Sequence, residues 1–541
     1  MLGAMQDWEL RVTGLLEHAA REHGSREIVT AWADGRETRT DWAGIRGDAL
    51  RLVQALRRLG IRSGDRVATL AMNHSRHLVC WFGVPGAGAI VHTLNPRLFD
   101  DQLEYIANHA EDRVLIYDAA FQPIVDRMRP RWKTIEHYIC FDSAGDPPPS
   151  ASEQPMSFEE WIGAETGEAE WERGSERDPC MLCYTSGTTG HPKGVLYEHR
   201  STILHTYAVA SSAVMAMDAR SVVLPVVPMF HANNWGLPWA SAAMGAKMVF
   251  SAVNEPERLI RLMRAEGATH VAGVPTVWLS LFQCLDAAGE ELPPIRQALS
   301  GGSALPRALI ERLMRADVRV AHAWGMTETS PIATATYEPA DWDRMSFEDR
   351  VRLKASQGRA LFGTEVRAVD LDDPARTLPR DGKSAGALQV RGPWVIKRYF
   401  KAETDSVQEA GQWFDTGDVA VIHPDGTVQL TDRTKDVIKS GGEWISSVEL
   451  ENAAVAHPGV AEAAAIGVPH PKWDERPILV VVKKPECSVC EAELRSFLAD
   501  KVAKWWLPDA VEFVDEIPHT GTGKISKKDL RARFAGYRLE S

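Results

Sequence analysis

The run Tyr184-Thr185-Ser186-Gly187-Thr188-Thr189-Gly190-His191-Pro192-Lys193-Gly194 constrains this chain more than any other stretch. It holds three glycines, four Ser/Thr hydroxyls and one lysine. Glycine lets a backbone come close to a ligand, and successive amides beside hydroxyls form a nest for an anion. Upstream, Pro179–Cys183 is uncharged and reads as the end of a short buried strand; downstream, Val195–His205 reads as an irregular strand and then a helix. With Lys193 as a local cation, the physical inference is a polyphosphate-binding loop. It differs from the P-loop of the common nucleoside triphosphatases, which needs G-x-x-x-x-G-K-[ST], because His191 and Pro192 separate Gly190 from Lys193. Composition alone also allows a flexible polar hairpin.

A chain of 541 residues is too long for one core, so two or more domains are expected. Between about 40 and 145, helix and strand patterns alternate. Asp41–Leu59 is amphipathic and stops at Gly60; Arg66–Ala71, Gly88–Leu94, Arg113–Tyr117 and Ile135–Phe141 read as strands; Ser75–Phe82, Asp100–His109 and Phe121–Met128 read as helices. This is βαβ logic, which argues for a parallel sheet with helices on both faces. Residues 145–178 read as a surface connection. Later strands (Val222–Phe230, Ala265–Thr276, Ile295–Ser300, Val318–His322) end in small or polar loops, and α/β sheets place ligands at the carboxyl ends of strands. Thr427–Leu430 is a strand, and Asp432–Asp436 a charged, unburied stretch after which the pattern changes. Ser446 with Glu449 forms a capping box, with Ile445 and Leu450 as its staple, and a small α+β domain follows. The expected division is 1–432 and 433–541: a large N-terminal α/β domain with mixed and parallel sheets flanked by helices, then a small mobile α+β domain.

The net charge of −13 repels nucleic acid and anionic lipid, so a polyanion must be met by a local pocket. No nucleic-acid partner is expected, and the basic stretch Lys524–Arg533 reads as one helix face. No apolar run approaches the roughly 18 residues of a membrane span. The N-terminus has no basic region followed by an apolar core, and Leu539-Glu540-Ser541 is no peroxisomal tag, so the expected location is the cytoplasm. Seven cysteines include the pairs Cys180/Cys183 and Cys487/Cys490, too far apart for a zinc ribbon and read as reduced thiols. Ser488 with Glu491 makes a capping box that would put Cys490 in a helix's first turn.

The literal string at 184–194 resembles the signature loop of the acyl-adenylate-forming enzymes, which include acyl-CoA synthetases, luciferases and the adenylation domains of peptide synthetases. Further stretches resemble the family's motifs in the same order across nearly the whole chain. The resemblance implies that ATP, Mg²⁺ and coenzyme A are used. Thr185, Ser186, Gly187, Thr188, Thr189, Gly190 and Lys193 would hold the β- and γ-phosphates. Trp324-Gly325-Met326-Thr327-Glu328 resembles the family's aromatic-Gly-x-Thr-Glu: Trp324 flanks adenine, Thr327 contacts the α-phosphate, and Glu328, with Thr185, ligates Mg²⁺. Gly302, Ser303 and Ala304 form the other wall of the adenine slot. Asp418 accepts the ribose hydroxyls, helped by Arg433. His519-Thr520-Gly521-Thr522-Gly523-Lys524 resembles the mobile catalytic-lysine loop, with His519 where Arg is frequent, as Trp324 stands where Tyr is common. Lys435 stands at the family's hinge position. Rotation there would remove Lys524 and bring Lys439, Gly441, Gly442 and Trp444 to the acyl-adenylate; as isolated residues, Lys435 and Lys439 also read as a solvated strand edge.

His231 resembles the gate between the acyl and CoA channels, a core histidine being the other reading. With Trp235, Gly302 and Pro331 it would line the acid pocket; Trp239 is the competing candidate for the pocket floor. Peptide-synthetase adenylation domains carry an Asp near here to pair with an α-ammonium. None lies between His231 and Met244, and no carrier-protein module follows Lys524. A simple carboxylic acid and CoA are therefore expected. An adenylate-binding sensor is disfavoured because Glu328 and Lys524 are both present. Met1–Glu27 and His92–Leu98 resemble a branch that holds medium-chain fatty-acid ligases and 3-methylmercaptopropionate-CoA ligases, nearer to the latter, and a homodimer is expected.

Overall fold

A computed structural model describes residues 3–141, 156–185, 191–408, 412–441, 443–485, 487–519 and 525–539. They fall into two compact units, one of residues 1–365 and 390–414, the other of 366–389 and 415–541.

The first unit is built on two large sheets. One runs in the order Met156–Ser157, His137–Phe141, Asp112–Asp118, Arg66–Leu70, Ile90–Thr93, Pro179–Tyr184, Gly194–Glu198. Its strands are parallel except the last, which turns back on Pro179–Tyr184. The helix Trp42–Arg58 starts where Asp41 accepts the Gly44 amide (2.8 Å) and buries Ile45, Ala49, Leu52, Val53 and Leu56. The second sheet has nine strands, with Val222–Pro225, His270–Ala272, Gln297–Ser300 and Arg319–Gly325 as adjacent parallel members and antiparallel strands at both ends. Apolar clusters cover its faces: Trp278, Leu281, Phe282 and Leu313 in one, Val209, Met215, Trp235 and Leu237 in another.

The second unit carries a five-stranded sheet in which Asp474–Lys483 pairs antiparallel with Val460–His470 and parallel with Ala510–Phe513. Ser446 caps the helix Ser447–Val455 by accepting the Glu449 amide (3.1 Å), and Ile445 and Leu450 are buried together beneath it.

Four expectations need correction. Residues 145–178 include the helix Phe158–Gly163, pinned by the buried ring of Phe158. The strand expected to end at His322 runs on to Gly325, because Ile332–Ala335 pairs with its end. Cys490 precedes the helix Glu491–Ala499 as its extended N-cap, with no side-chain cap from Ser488. Asp432 is buried at the end of the strand Val428–Arg433: the Ser447 amide (2.6 Å) and hydroxyl (2.7 Å) donate to its Oδ2, compensating its burial.

Candidate active site

The strand Pro179–Tyr184 delivers the chain to the neck of the glycine-rich run. Pairing with Gly194–Glu198 sets Tyr184 opposite Gly194. The Thr185 amide donates to the Lys193 carbonyl (2.9 Å), and the Lys193 amide to Thr185 Oγ1 (3.3 Å). The neck is tight: a Cβ on Gly194 would lie 3.1 Å from the side chains of Phe400 and Tyr184. Thr185 and Lys193 are thus brought together, while Ser186, Gly187, Thr188, Thr189 and Gly190 lie outside the described residues.

The Lys193 ammonium sits 4.8 Å from the centroid of the Tyr399 ring, and the Tyr399 hydroxyl donates to Glu328 Oε1 at 2.7 Å. Burial, reinforced by the neighbouring Glu328 carboxylate, raises the Tyr399 phenol well above its ordinary value, so it remains a donor. Glu328 is 6% exposed, in the single turn Thr327–Thr329 that follows Arg319–Gly325. That turn is tied at two carbonyls: Glu328 accepts the Ile396 amide (2.8 Å) and Thr327 the Tyr197 hydroxyl (2.7 Å). The Met326 amide returns to the Pro331 carbonyl (3.1 Å), and any Cβ on Gly325 would overlap that same oxygen. Trp324, Gly325, Met326, Thr327, Glu328 and Pro331 therefore belong to one tight reversal.

The donor set here is carboxylate and hydroxyl oxygen, the chemistry of a hard cation. Among the described residues no group of three His, Cys, Asp or Glu side chains could hold a metal alone. The Glu328 carboxylate is an oxygen donor of the kind Mg²⁺ takes, and Mg²⁺ held there would need further oxygen ligands.

The approach to His231 is organised by Asn73, which is buried between the two large sheets' strand ends. Its Nδ2 donates to the carbonyls of Pro225 (2.9 Å) and Val227 (2.8 Å), and its Oδ1 accepts the Met229 amide (2.7 Å). His231 is exposed. After it, Ala232, Asn233, Asn234, Trp235 and Gly236 all take positive φ, from 41° to 78°, a left-handed turn that is strained for the four non-glycine residues. A Cβ on Gly236 would stand 2.9 Å from the ring of His205, which burial lowers to about 3 and whose Nε2 accepts the Ile332 amide (3.1 Å). The turn aims the Trp235 indole, 6% exposed, at the Gly301–Gly302 backbone: Cβ atoms there would lie 3.7 and 4.0 Å from it. Ser303 and Ala304 are exposed beside this turn. Trp239 points elsewhere. It is fully buried, its ring centroid 5.2 Å from Trp81 and 4.9 Å from Phe82, with Nε1 on Asn233 Oδ1 (2.7 Å).

In the second unit Asp418 lies opposite Arg433, and Arg433 Nε donates to Asp418 Oδ1 at 2.7 Å. Lys435 is exposed. Lys439 faces Trp444 across a strand pair, its ammonium 4.4 Å from the ring. Gly441 has φ of 63°, and a Cβ there would press on the Trp473 ring at 2.6 Å. Gly442 and Lys524 lie outside the described residues; His519 Nε2 is 2.6 Å from Glu462 Oε1.

Tyr399, Tyr197 and Asn73 escaped the sequence reading. Each acts through contacts with residues at least 71 positions away, and none belongs to a local pattern.

Residues 16–400 match the AMP-binding enzyme family, and residues 449–524 match the AMP-binding enzyme C-terminal domain. The chain is 46% identical over 536 residues to a 3-methylmercaptopropionyl-CoA ligase of Ruegeria lacuscaerulensis, covering 99% of each chain. It is 43% identical over 545 residues to a medium-chain-fatty-acid–CoA ligase of Ectopseudomonas oleovorans, covering 100% of this chain and 99% of the other. A solved anthranilate CoA ligase in complex with anthranoyl-AMP superposes with a TM-score of 0.83 at 26% identity, over 98% of both chains.

Proposed function

Because this chain belongs to the AMP-binding enzyme family, we propose that it activates a short or medium-chain carboxylic acid, with 3-methylmercaptopropionate as the first candidate and a medium-chain fatty acid as the second. The chain is an AMP-forming acyl-CoA synthetase, an acid–thiol ligase that uses ATP, Mg²⁺ and CoA. Joining a carboxylate to a thiol is uphill, so the acid is first made an acyl-adenylate. Its carboxylate attacks the α-phosphorus of ATP and pyrophosphate leaves. The nucleophile is already an anion, so no general base is needed. CoA sulfur then attacks the acyl carbonyl and AMP leaves.

The observation that carries the residue assignment is the convergence of Thr185, Lys193, Tyr399 and Glu328 at one neck. Lys193 and the run before it grip the triphosphate, and Glu328 and Thr185 hold Mg²⁺, which when bound offsets phosphate charge. Trp324 on one side and Gly302, Ser303 and Ala304 on the other wall the adenine slot, and Thr327 contacts the α-phosphate. Asp418, oriented by Arg433, takes the ribose. Trp235, Gly302 and Pro331 bound the acid beside His231, the gate to the thiol channel. Lys524 joins carboxylate and α-phosphate in the first half-reaction. Lys435 is the pivot that replaces it with Lys439, Gly441, Gly442 and Trp444 in the second, so the moving part is 433–541. We place the enzyme in the cytoplasm as a homodimer.

Pyrophosphate release across straight-chain and thioether acids, with and without CoA, tests the substrate. Preference for an amino acid would overturn the reading. Lys524→Ala should lower adenylation on the order of 10²–10³-fold while sparing thioester formation from supplied acyl-adenylate; equal loss in both halves would remove Lys524 from its role.

A further inference from the structure

Beyond the strand Val222–Pro225, buried backbone groups leave the sheet ladder and must find other partners. Three asparagines supply them. Asn73, buried, donates to the Pro225 and Val227 carbonyls (2.9 and 2.8 Å) and accepts the Met229 amide (2.7 Å). Asn254 donates to the Val226 carbonyl (3.3 Å). The Val227 carbonyl takes a second bond, from the side-chain amide of the fully buried Asn234. Asn73 and Asn234 therefore meet on one oxygen, and Asn234 belongs to the left-handed turn of residues 232–236. Asn73 is itself pinned on both sides. Asp118, at the end of the strand Asp112–Asp118, accepts the Met72 amide on Oδ2 (2.7 Å). His74 Nδ1 accepts the His77 amide (2.9 Å), so its ring hydrogen sits on Nε2, which donates to Asp118 Oδ1 (2.8 Å). Both chain neighbours of Asn73 are thus tied to one carboxylate.

The turn needs such support. Ala232, Asn233, Asn234 and Trp235 hold φ of 41°, 59°, 45° and 54°. Non-glycine residues keep such a conformation only where the contacts around them over-determine it. We propose that Asn73 and Asn234 are positioning residues for the acid pocket: through the shared Val227 carbonyl they hold the strained turn, and with it the Trp235 ring, in one place. The strand end of the first sheet thereby sets how long an acid the second sheet's pocket takes. This rests on reading Trp235 as the floor of that pocket. Neither asparagine touches the reacting atoms; both act through the backbone that carries Trp235.

Measuring kcat/KM for straight-chain acids of increasing length, with the KM for ATP in parallel, tests it in the full-length enzyme. Asn73→Ala deletes the clamp. Asn234→Gly deletes the other bond to Val227 and leaves a residue at ease with positive φ, so it asks least of the fold. Each should flatten the chain-length profile, lowering the preference for an acid of about five backbone atoms over one of about nine by roughly tenfold, the scale of single-methylene discrimination. The KM for ATP should change little. Asp118→Asn keeps an oxygen for the Met72 amide but sets an N–H against that of His74, and should flatten the profile less. In a Trp235→Ala background, where the floor is already gone, Asn234→Gly should change the profile no further. A wild-type profile in Asn234→Gly, an equal fall in kcat/KM at every length, or further flattening on top of Trp235→Ala would each overturn the inference while leaving the floor standing. An unchanged profile in Trp235→Ala alone would overturn the floor, and this inference with it.

Discussion

Tyr399 stands between the two charged groups of the candidate site: its hydroxyl donates to Glu328 Oε1 at 2.7 Å, and its ring lies 4.8 Å from the Lys193 ammonium. Tyr399→Phe keeps the ring under the lysine and deletes only the donor. Hydrogen bonds to charged groups contribute about 1.5–3 kcal/mol, so pyrophosphate formation should fall roughly tenfold or more, most severely at low Mg²⁺. Tyr399→Leu, which also removes the cation–π face, should lose more. A Mg²⁺ titration of pyrophosphate release checks this; identical curves for wild type and Tyr399→Phe would detach Tyr399 from the metal site.

The proposed pivot gives a prediction of opposite kind. The amides of Asp436 and Val437 both donate to the Arg433 carbonyl at 2.9 Å, so Lys435 sits inside a tight turn. Proline there fixes φ and restrains the change a hinge must make. In Lys435→Pro, single-turnover pyrophosphate release should survive while acyl-CoA formation falls. Undiminished steady-state CoA ligation would move the pivot elsewhere.

Lys354 makes stability depend on pH. It is 2% exposed, its Nζ donates to the Thr336 carbonyl (3.0 Å) and lies 5.0 Å from the Trp342 ring, and burial pushes its ammonium down to about 8. The unfolded chain holds this proton to higher pH, near the ordinary lysine value of about 10.4. Between the two values the unfolded state binds more protons, so this residue makes stability rise with pH; below pH of about 8 the destabilisation is fully present. Lys354→Met removes the charge but also leaves the Thr336 carbonyl without its donor. It should stabilise the protein by about 1–2 kcal/mol at pH 7, and the gain should shrink by pH 10. Denaturant unfolding at both values measures it. A variant less stable at pH 7, or one whose advantage does not change with pH, would show that Lys354 is not held against its charge.

The run 184–194 was legible because its physics is local: glycines, hydroxyls and a lysine within eleven residues can serve few ends besides an anion. Strand–loop alternation exposed the sheets for the same reason, since periods of two and 3.6 are written in adjacent residues. Contacts between distant segments were not legible. Tyr399 acts on a carboxylate 71 residues earlier, and Asp432 looked like surface until Ser447, fifteen residues on, offered it two donors. The left-handed turn at Ala232–Trp235 was hidden differently: it uses a conformation that residue preference assigns to glycine, at four positions that are not glycine. Nor does the sequence announce that residues 366–389 pack with 415–541.

That turn sets where the Trp235 ring lies. It swings the Trp235 indole onto Gly301 and Gly302, whereas Trp239 is spent on Trp81 and Phe82 in the core. As the pocket floor, Trp235 would limit chain length by occupying the space a longer tail needs. Trp235→Ala opens that space without asking the backbone to change, and each added CH₂ that becomes buried gains about 0.8 kcal/mol. A short acid loses its contact with the ring, though discrimination of a single methylene is worth only about 1–3 kcal/mol. The kcat/KM optimum should therefore move from acids of about four to six backbone atoms toward eight or more, gaining stepwise with length rather than at once. Thermal melting with ATP verifies that the variant is folded. A folded Trp235→Ala enzyme with an unchanged chain-length profile would place the floor on a residue other than Trp235, and Trp239, which packs on Trp81 and Phe82, is not the one.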